Sequence, residues 1–344
     1  MIKVAIAGFG FMGRMHYGCW KKVPGVQVVA LCDQDRRQFE QSAAAAGNVQ
    51  GADMSCDYGD AVLYDDFATM LDQARPDAVD ITLPTFLHVS TAALALSKGI
   101  HVLCEKPMAL DAAACDELLA AWRAAPQGTE LMIGQCLRFR GEYVYAKRLI
   151  ESGEYGRVIA ARFGRYSQAP GWTRDGGKSW FFDESRSGGV ALDLHIHDTD
   201  MVHFLFGMPA AVTSSAYYDS DGTMIHISTL YDVGGPSVVA DGGWGMAKSF
   251  GFERGFQIVF ERASLVMATN RQPEFCLYPM DGEPFVPELP VSADAYQNEI
   301  NWFVDKLKGL PVEAVTSPEA CRDSVKIVDA EKLSARNKKL VQIA

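Results

Sequence analysis

The sequence predicts an α/β protein in two parts. Residues 1–135 form a doubly wound parallel sheet, and residues 136–344 an α+β domain on a large, mostly antiparallel open sheet, the last helices able to pack back on the first part. Three observations carry this. Short apolar runs alternate with helix-patterned stretches as far as Gly134, which implies parallel strands joined by crossover helices. Near Gln135 that alternation gives way to longer β runs joined by turn signals such as Asp221-Gly222 and Gly234-Gly235-Pro236. The chain also opens on an apolar strand that enters Gly-x-Gly-x-x-Gly.

That opening is Val4-Ala5-Ile6-Ala7-Gly8-Phe9-Gly10-Phe11-Met12-Gly13, followed by a helix pattern to about Lys22, the apolar run Val26 to Leu31, and Asp33. Gly8 permits the tight turn, Gly10 lets backbone approach a pyrophosphate, and Gly13 lets helix and strand pack closely. The helix N-terminus presents N–H groups to phosphate charge. Asp33, 20 residues past Gly13, suits the adenosine ribose 2′-hydroxyl. Arg36 and Arg37 could meet a 2′-phosphate, but Asp33 would repel it, so NAD is favoured over NADP.

The remaining elements follow in order. A helix is expected from Asp35 to Ala46, a polar loop from Gly47 to Gly59, a strand at Ala61–Tyr64 and a helix at Asp66–Gln73. A buried strand Ala78–Leu83 ends at Pro84, and a helix over Phe86–Ser97 stops at Gly99. Strand His101–Cys104 runs into Glu105-Lys106-Pro107; a helix from Asp111 to Ala125 and strand Leu131–Gly134 complete the series. Gly8, Asp33, Pro84 and Lys106 all fall at carboxyl ends of strands, where ligands bind such sheets. Beyond Gln135 come a helix over Glu142–Ser152 and strands Val158–Tyr166, Val212–Tyr218, Met224–Val233, Ser237–Gly243, Phe256–Phe260 and Leu265–Ala268. Helices Asp294–Gly309 and Pro318–Asn337 close the chain.

Composition excludes several classes. The net charge of -11 and the absence of a basic stripe disfavour nucleic acid and anionic membranes. The eight cysteines form no C-x-x-C pair and read as buried thiols of a reducing, cytoplasmic compartment. Met1 leads straight into the first strand, so no leader segment is expected, and no run approaches eighteen apolar residues.

The densest group of ionisable residues follows Gly188-Gly189. On a helix entered there, Asp193 and His197 share a face, and a carboxylate beside a histidine can fix its tautomer for proton transfer near neutral pH. His195, Asp198 and His203 read instead as structural. A metal is the competing reading of His195-Ile196-His197-Asp198, but i and i+2 residues on a helix diverge by roughly 200°, so no metal is expected. Lys106 can donate to a substrate hydroxyl and stabilise its negative charge. The aromatic, polar stretch Gly171–Asp175 with Lys178-Ser179-Trp180 suits either a hydroxylated ring or a surface loop with packed tryptophans.

Together these residues resemble the Gfo/Idh/MocA oxidoreductases. The pattern comprises the glycine turn and Asp33, Thr82-Leu83-Pro84-Thr85-Phe86-Leu87-His88, Glu105-Lys106-Pro107, Arg138-Phe139, Gly188-Gly189 with Asp193 and His197, and Tyr296-Gln297-Asn298-Glu299-Ile300. The resemblance implies a Rossmann domain joined to an open-sheet domain, NAD or NADP as cofactor, and a homodimer or homotetramer through the C-terminal sheet. It implies Lys106, Asp193 and His197 as the catalytic trio, with His88, Glu105 and Gln135 at the nicotinamide end. The expected cofactor residues are therefore Gly8, Gly10, Phe11, Met12, Gly13, Asp33, Thr82, Pro84, His88, Glu105, Lys106 and Gln135. Lys106, Arg138, Trp180, Asp193 and His197 are expected to meet the substrate. His195 stands where relatives often carry glycine. The expected activity is NAD(P)-dependent oxidation of a secondary alcohol in a sugar, cyclitol or polyol. An NAD-using glycoside hydrolase and a non-catalytic sensor are the alternatives.

Overall fold

A computed structural model describes residues 1–40, 57–169 and 180–343. Most of the expected loop at 47–59, the alanine run at 43–46, Cys56 and the stretch from Gly171 to Ser179 lie outside the described residues.

The chain divides into two compact units, Met1–Gln135 with Tyr296–Arg322, and Cys136–Ala295 with Asp323–Ala344. In the first, strands β1 (Ile2–Ala7), β2 (Val26–Cys32), β3 (Val62–Tyr64), β4 (Ala78–Ile81), β5 (His101–Glu105) and β6 (Leu131–Gly134) lie in the order β3-β2-β1-β4-β5-β6. Every neighbouring pair is parallel. Both faces of such a sheet are covered, so β4, β6 and most of β1 and β5 are buried along their length and lack a polar alternation. Helices α1 (Phe11–Trp20), α2 (Phe67–Ala74), α3 (His88–Ser97) and α4 (Ala112–Ala124) make the crossovers. Asp66 and Asp111 cap α2 and α4 by accepting from the N–H of Thr69 and Ala114. Strand order reverses between β1 and β4, and the ligand crevice of this topology opens there.

The expected helix from Asp35 is a correction. Its described part is a 3-10 turn, Arg36–Phe39, because Asp35 turns back to accept from the N–H and guanidinium of Arg37.

The second unit begins with α5 (Gly141–Ser152) and β7 (Val158–Ser167), then α6 (Glu184–Ser187) and α7 (Ile196–Phe206). Strands β8 (Ala211–Tyr218), β9 (Met224–Asp232), β10 (Ser237–Gly243), β11 (Phe252–Phe260), β12 (Ala263–Ala268), β13 (Phe275–Pro279) and β14 (Val341–Gln342) join β7 in one sheet. Its order is β13-β12-β11-β7-β10-β9-β8-β14, and only β7 and β10 pair parallel. The mixed sheet is buried on one face, while Leu230 and Val259 stand outward between buried neighbours and Tyr217 is exposed near the end of β8. Strands β13 and β14 were absent from the sequence reading, and β11 starts earlier than expected because its pairing with β7 continues to Phe252. Helices α8 (Ala295–Leu307) and α9 (Pro318–Asn337) end the helical part of the chain. No helix among the described residues is long and apolar enough to cross a membrane.

Candidate functional site

The glycine turn is built for backbone proximity. Gly8 has φ +90°, and a Cβ there would stand 2.8 Å from the carbonyl of Thr82; at Gly13 it would stand 2.0 Å from the carbonyl oxygen of Gly8. Those two glycines are required by the protein's own packing. A Cβ at Gly10 would meet nothing within 4 Å, so the room there is open to a ligand. No side chain caps α1, which leaves its first-turn N–H groups at Phe11, Met12 and Gly13 aimed at that room. Thr82 donates to the carbonyl of Gly8 at 2.6 Å and ties β4 to the turn.

Asp33 is held in place by two backbone donors, Phe9 N at 2.8 Å and Asp35 N at 2.9 Å, one to each oxygen. Each oxygen retains lone-pair capacity for a further donor. Arg36 pairs with Asp65 and Arg37 with Asp35. Both cations lie beside carboxylates at the surface, which would add repulsion to a 2′-phosphate there. The residues present thus fit a dinucleotide whose ribose hydroxyl meets Asp33.

Lys106 follows β5 directly and is half-buried, whereas Val102–Glu105 before it and Pro107–Ala109 after it are buried. Its peptide bond to Pro107 is cis. Its N–H donates to Glu105 Oε2 at 3.0 Å. Gln135 is buried, with no partner for its Nε2 among the described residues. The ring of His88 is buried, with both nitrogens 2.8 Å from the carbonyls of Pro107 and Leu83. Burial holds its pKa below the usual imidazole range. As a neutral imidazole it carries one N–H, which donates to one of those two carbonyls.

In the second unit, Gly188 and Gly189 both adopt positive φ. Their closest neighbours are the side chains of Leu192 and Glu184, so their need for glycine comes from internal packing rather than from a ligand. After them the chain makes a π-helical turn, Ala191–His195, before α7, in place of the continuous α-helix expected. From Ser187 to Val202 only Asp193 and His197 are not buried, so the two share the accessible side of this segment.

The other ionisable residues nearby are structural. Arg165 binds Asp198 through Nε at 3.0 Å and Nη2 at 3.2 Å. Arg138, expected to meet the substrate, is buried, and its guanidinium grips Asp200 at 2.9 and 2.8 Å. Ser324 also donates to Asp200, and His203 lies 3.2 Å from the Ser324 hydroxyl. His195 is buried with Nε2 3.4 Å from Glu331, which also accepts from Tyr231 at 2.6 Å and Thr199 at 3.0 Å. Burial opposes charge on His195, but Glu331 outweighs it and holds the ring above the usual imidazole range. Trp180 is half-buried and packs edge-on against Phe181, which in turn stacks near Trp244. The sequence reading missed Arg165 and Glu331 because their partners lie 33 or more residues away. It also passed over Asp80, whose charge inside an otherwise apolar strand was the available signal.

A surface cleft of about 570 Å3, lined by Leu71, Asp77, Lys98 and His101, sits at the amino ends of β4 and β5. That is the wrong end of the sheet for a dinucleotide.

Two family models match the chain: "Oxidoreductase family, NAD-binding Rossmann fold" over residues 2–134, and "GFO/IDH/MocA C-terminal domain" over residues 143–266. D-apiose dehydrogenase of Paraburkholderia graminis is 31% identical over 205 residues, covering 60% of this chain and 50% of that protein. The match spans about half the length of several curated relatives. The scyllo-inositol 2-dehydrogenase (NAD(+)) of Bacillus subtilis is 24% identical over 336 residues, covering 93% of this chain and 90% of its own. In fold, a levoglucosan dehydrogenase solved with NADH and levoglucosan superposes with a TM-score of 0.82 at 19% identity, covering 99% of each chain.

Proposed function

The chain belongs to the Gfo/Idh/MocA oxidoreductase family, and on that premise we propose that it is an NAD-dependent dehydrogenase acting on a secondary alcohol of a sugar, cyclitol or related polyol. The observation that carries this reading is the cradle at the end of β1. Open room at Gly10, an uncapped helix N-terminus and a pre-oriented Asp33 together fit a pyrophosphate and its adenosine ribose. Relatives named as dehydrogenases of apiose and inositol support the substrate class.

In this reading His197 takes the hydroxyl proton, Asp193 orients its imidazole, and Lys106 donates to the same oxygen as negative charge develops on it. Bound NAD supplies the hydride acceptor, so the chain's own part is position and proton handling. The pairing of Arg36 and Arg37 with neighbouring acids supports NAD over NADP. The outward residues Tyr217, Leu230 and Val259 fit a sheet face covered by a second copy, in a homodimer or homotetramer.

The test is a panel of free sugars, cyclitols and polyols with both nicotinamide cofactors, followed by absorbance of the reduced nicotinamide. Net NADH formation with one substrate class is the expected result. Aryl-glycoside cleavage without net NADH would replace the dehydrogenase by a hydrolase, and tight sugar binding with no turnover would replace it by a sensor.

A further inference from the structure

One group of buried charges in the first unit is left over by this reading. Asp80 on β4, Glu105 at the end of β5 and Glu299 on α8 lie around the ring of His16 on α1, and none of the four is more than 6% exposed. His16 Nδ1 lies 2.9 Å from Asp80 Oδ2, which also accepts from Trp20 Nε1 at 2.6 Å. On the other side of the ring, His16 Nε2 lies 3.1 Å from Glu105 Oε1. Single ligand-type atoms of His16, Glu105 and Glu299 come within 4.8 Å of one another. Glu299 reaches this point over Gly134, where an added Cβ would stand 3.3 Å from Glu299 Oε1. Both Glu299 oxygens are buried without a hydrogen-bond partner among the described residues.

The charges do not balance. With His16 doubly protonated, three ionised carboxylates would still outnumber the cations beside them, His16 and Lys106, and an uncompensated buried charge is strongly unfavourable. A buried group in that position neutralises itself or recruits a cation. The hydrogen bonds identify which carboxyl is neutral. Asp80 has Trp20 and His16 as donors, and Glu105 has the N–H of Lys106, with the His16 ring 3.1 Å away as a charge partner. Glu299 has none.

We propose that Glu299 is carried as a neutral carboxylic acid, and that it and His16, an imidazolium between Asp80 and Glu105, are positioning residues that hold Glu105 and through it the backbone of Lys106. The positioning role rests on the dehydrogenase reading; the proton on Glu299 does not. Burial, and then the charge of Glu105, push the Glu299 carboxyl well above the usual carboxylate range. Burial opposes charge on His16, but Asp80 and Glu105 outweigh it. The remaining ionisable groups around Glu105 are Lys106, His88 and the Cys104 thiol, and the ring of Tyr296 packs 5.7 Å from His16. Nε2 and Oε1 stand 3.1 Å apart without hydrogen-bond alignment, the approach of an imidazolium and a carboxylate held as an ion pair.

The sign of the pH dependence follows. A carboxyl whose folded pKa exceeds its unfolded one stabilises fully below the unfolded value, and that contribution is lost as pH rises toward the folded value. Glutamine at 299 keeps the shape and carries no charge at any pH. The experiment uses the full chain, with thermal unfolding of wild type, Glu299→Gln and Glu299→Ala from about pH 5 to about pH 9. Elemental analysis, NADH affinity and turnover on a substrate from the panel complete it. The Glu299→Gln melting temperature should match wild type at the acid end and exceed it by a growing margin as pH rises. Its kcat should stay within roughly threefold of wild type, whereas Glu299→Ala should lose about tenfold in kcat with KM little changed.

A constant or reversed margin for Glu299→Gln would make Glu299 an anion and overturn the proposal. So would stoichiometric divalent metal in the purified protein, or a fall in wild-type melting temperature on adding chelator. Wild-type kcat in Glu299→Ala would overturn the positioning role. If no polyol is oxidised, the dehydrogenase reading fails, while the unfolding series still decides where the proton resides.

Discussion

The two units bury ionisable groups in opposite ways. In the second, each buried acid around α7 has its own basic partner: Arg138 for Asp200, Arg165 for Asp198, His195 for Glu331. In the first, Asp80, Glu105 and Glu299 have one imidazole among them. A guanidinium keeps its proton at any pH the protein meets, so the two arginine pairs of the second unit are static. They fix α7, and with it His197, by partners on β7 and the turn before α5, while Ser324 and Glu331 on α9 add hydrogen bonds. Balanced by protons, as proposed above, the first cluster should respond to pH.

The comparison can be broken from the static side first. Arg165→Met leaves Asp198 buried and unpaired, which should cost about 3–5 kcal/mol in denaturant unfolding, with Arg165→Met/Asp198→Leu recovering most of that loss. A loss under about 1 kcal/mol in the single variant would mean the pair does not hold α7. Next, His197→Ala should lower turnover by roughly 10² at neutral pH while NADH affinity stays at the wild-type value. Retained turnover would remove His197 from the chemistry and leave the static frame without a client. The smallest expected effect is at the cradle. Asp33→Ala should weaken NAD by about tenfold through the lost ribose hydrogen bonds, and NADP by less. The opposite ranking, read by titrating both reduced cofactors, would sink the NAD assignment.

Local signals were legible and long-range ones were not. The glycine turn, Asp33 and Lys106 announce themselves because strand, turn and helix periodicities are written within a few residues of each other. The pairing of Arg138 with Asp200 was not legible, because nothing near Arg138 in sequence names Asp200 as its partner. The surroundings of His88 were hidden for the same reason: the two carbonyls beside its ring belong to different loops. Asp35 defeated the expected helix by a local contest, its side chain competing with the backbone for Arg37.

By itself, then, the sequence determined a doubly wound parallel sheet, a dinucleotide turn built on glycine, and the shortlist of residues able to move a proton. Tertiary structure decided which of those charges face one another in the dark. It gave Arg138 a buried partner in Asp200 and His195 one in Glu331, and it brought Glu299 to His16 across more than 280 residues of chain. Periodicity is a property of neighbours along the chain, whereas the protonation state of a buried carboxyl depends on what surrounds it in space.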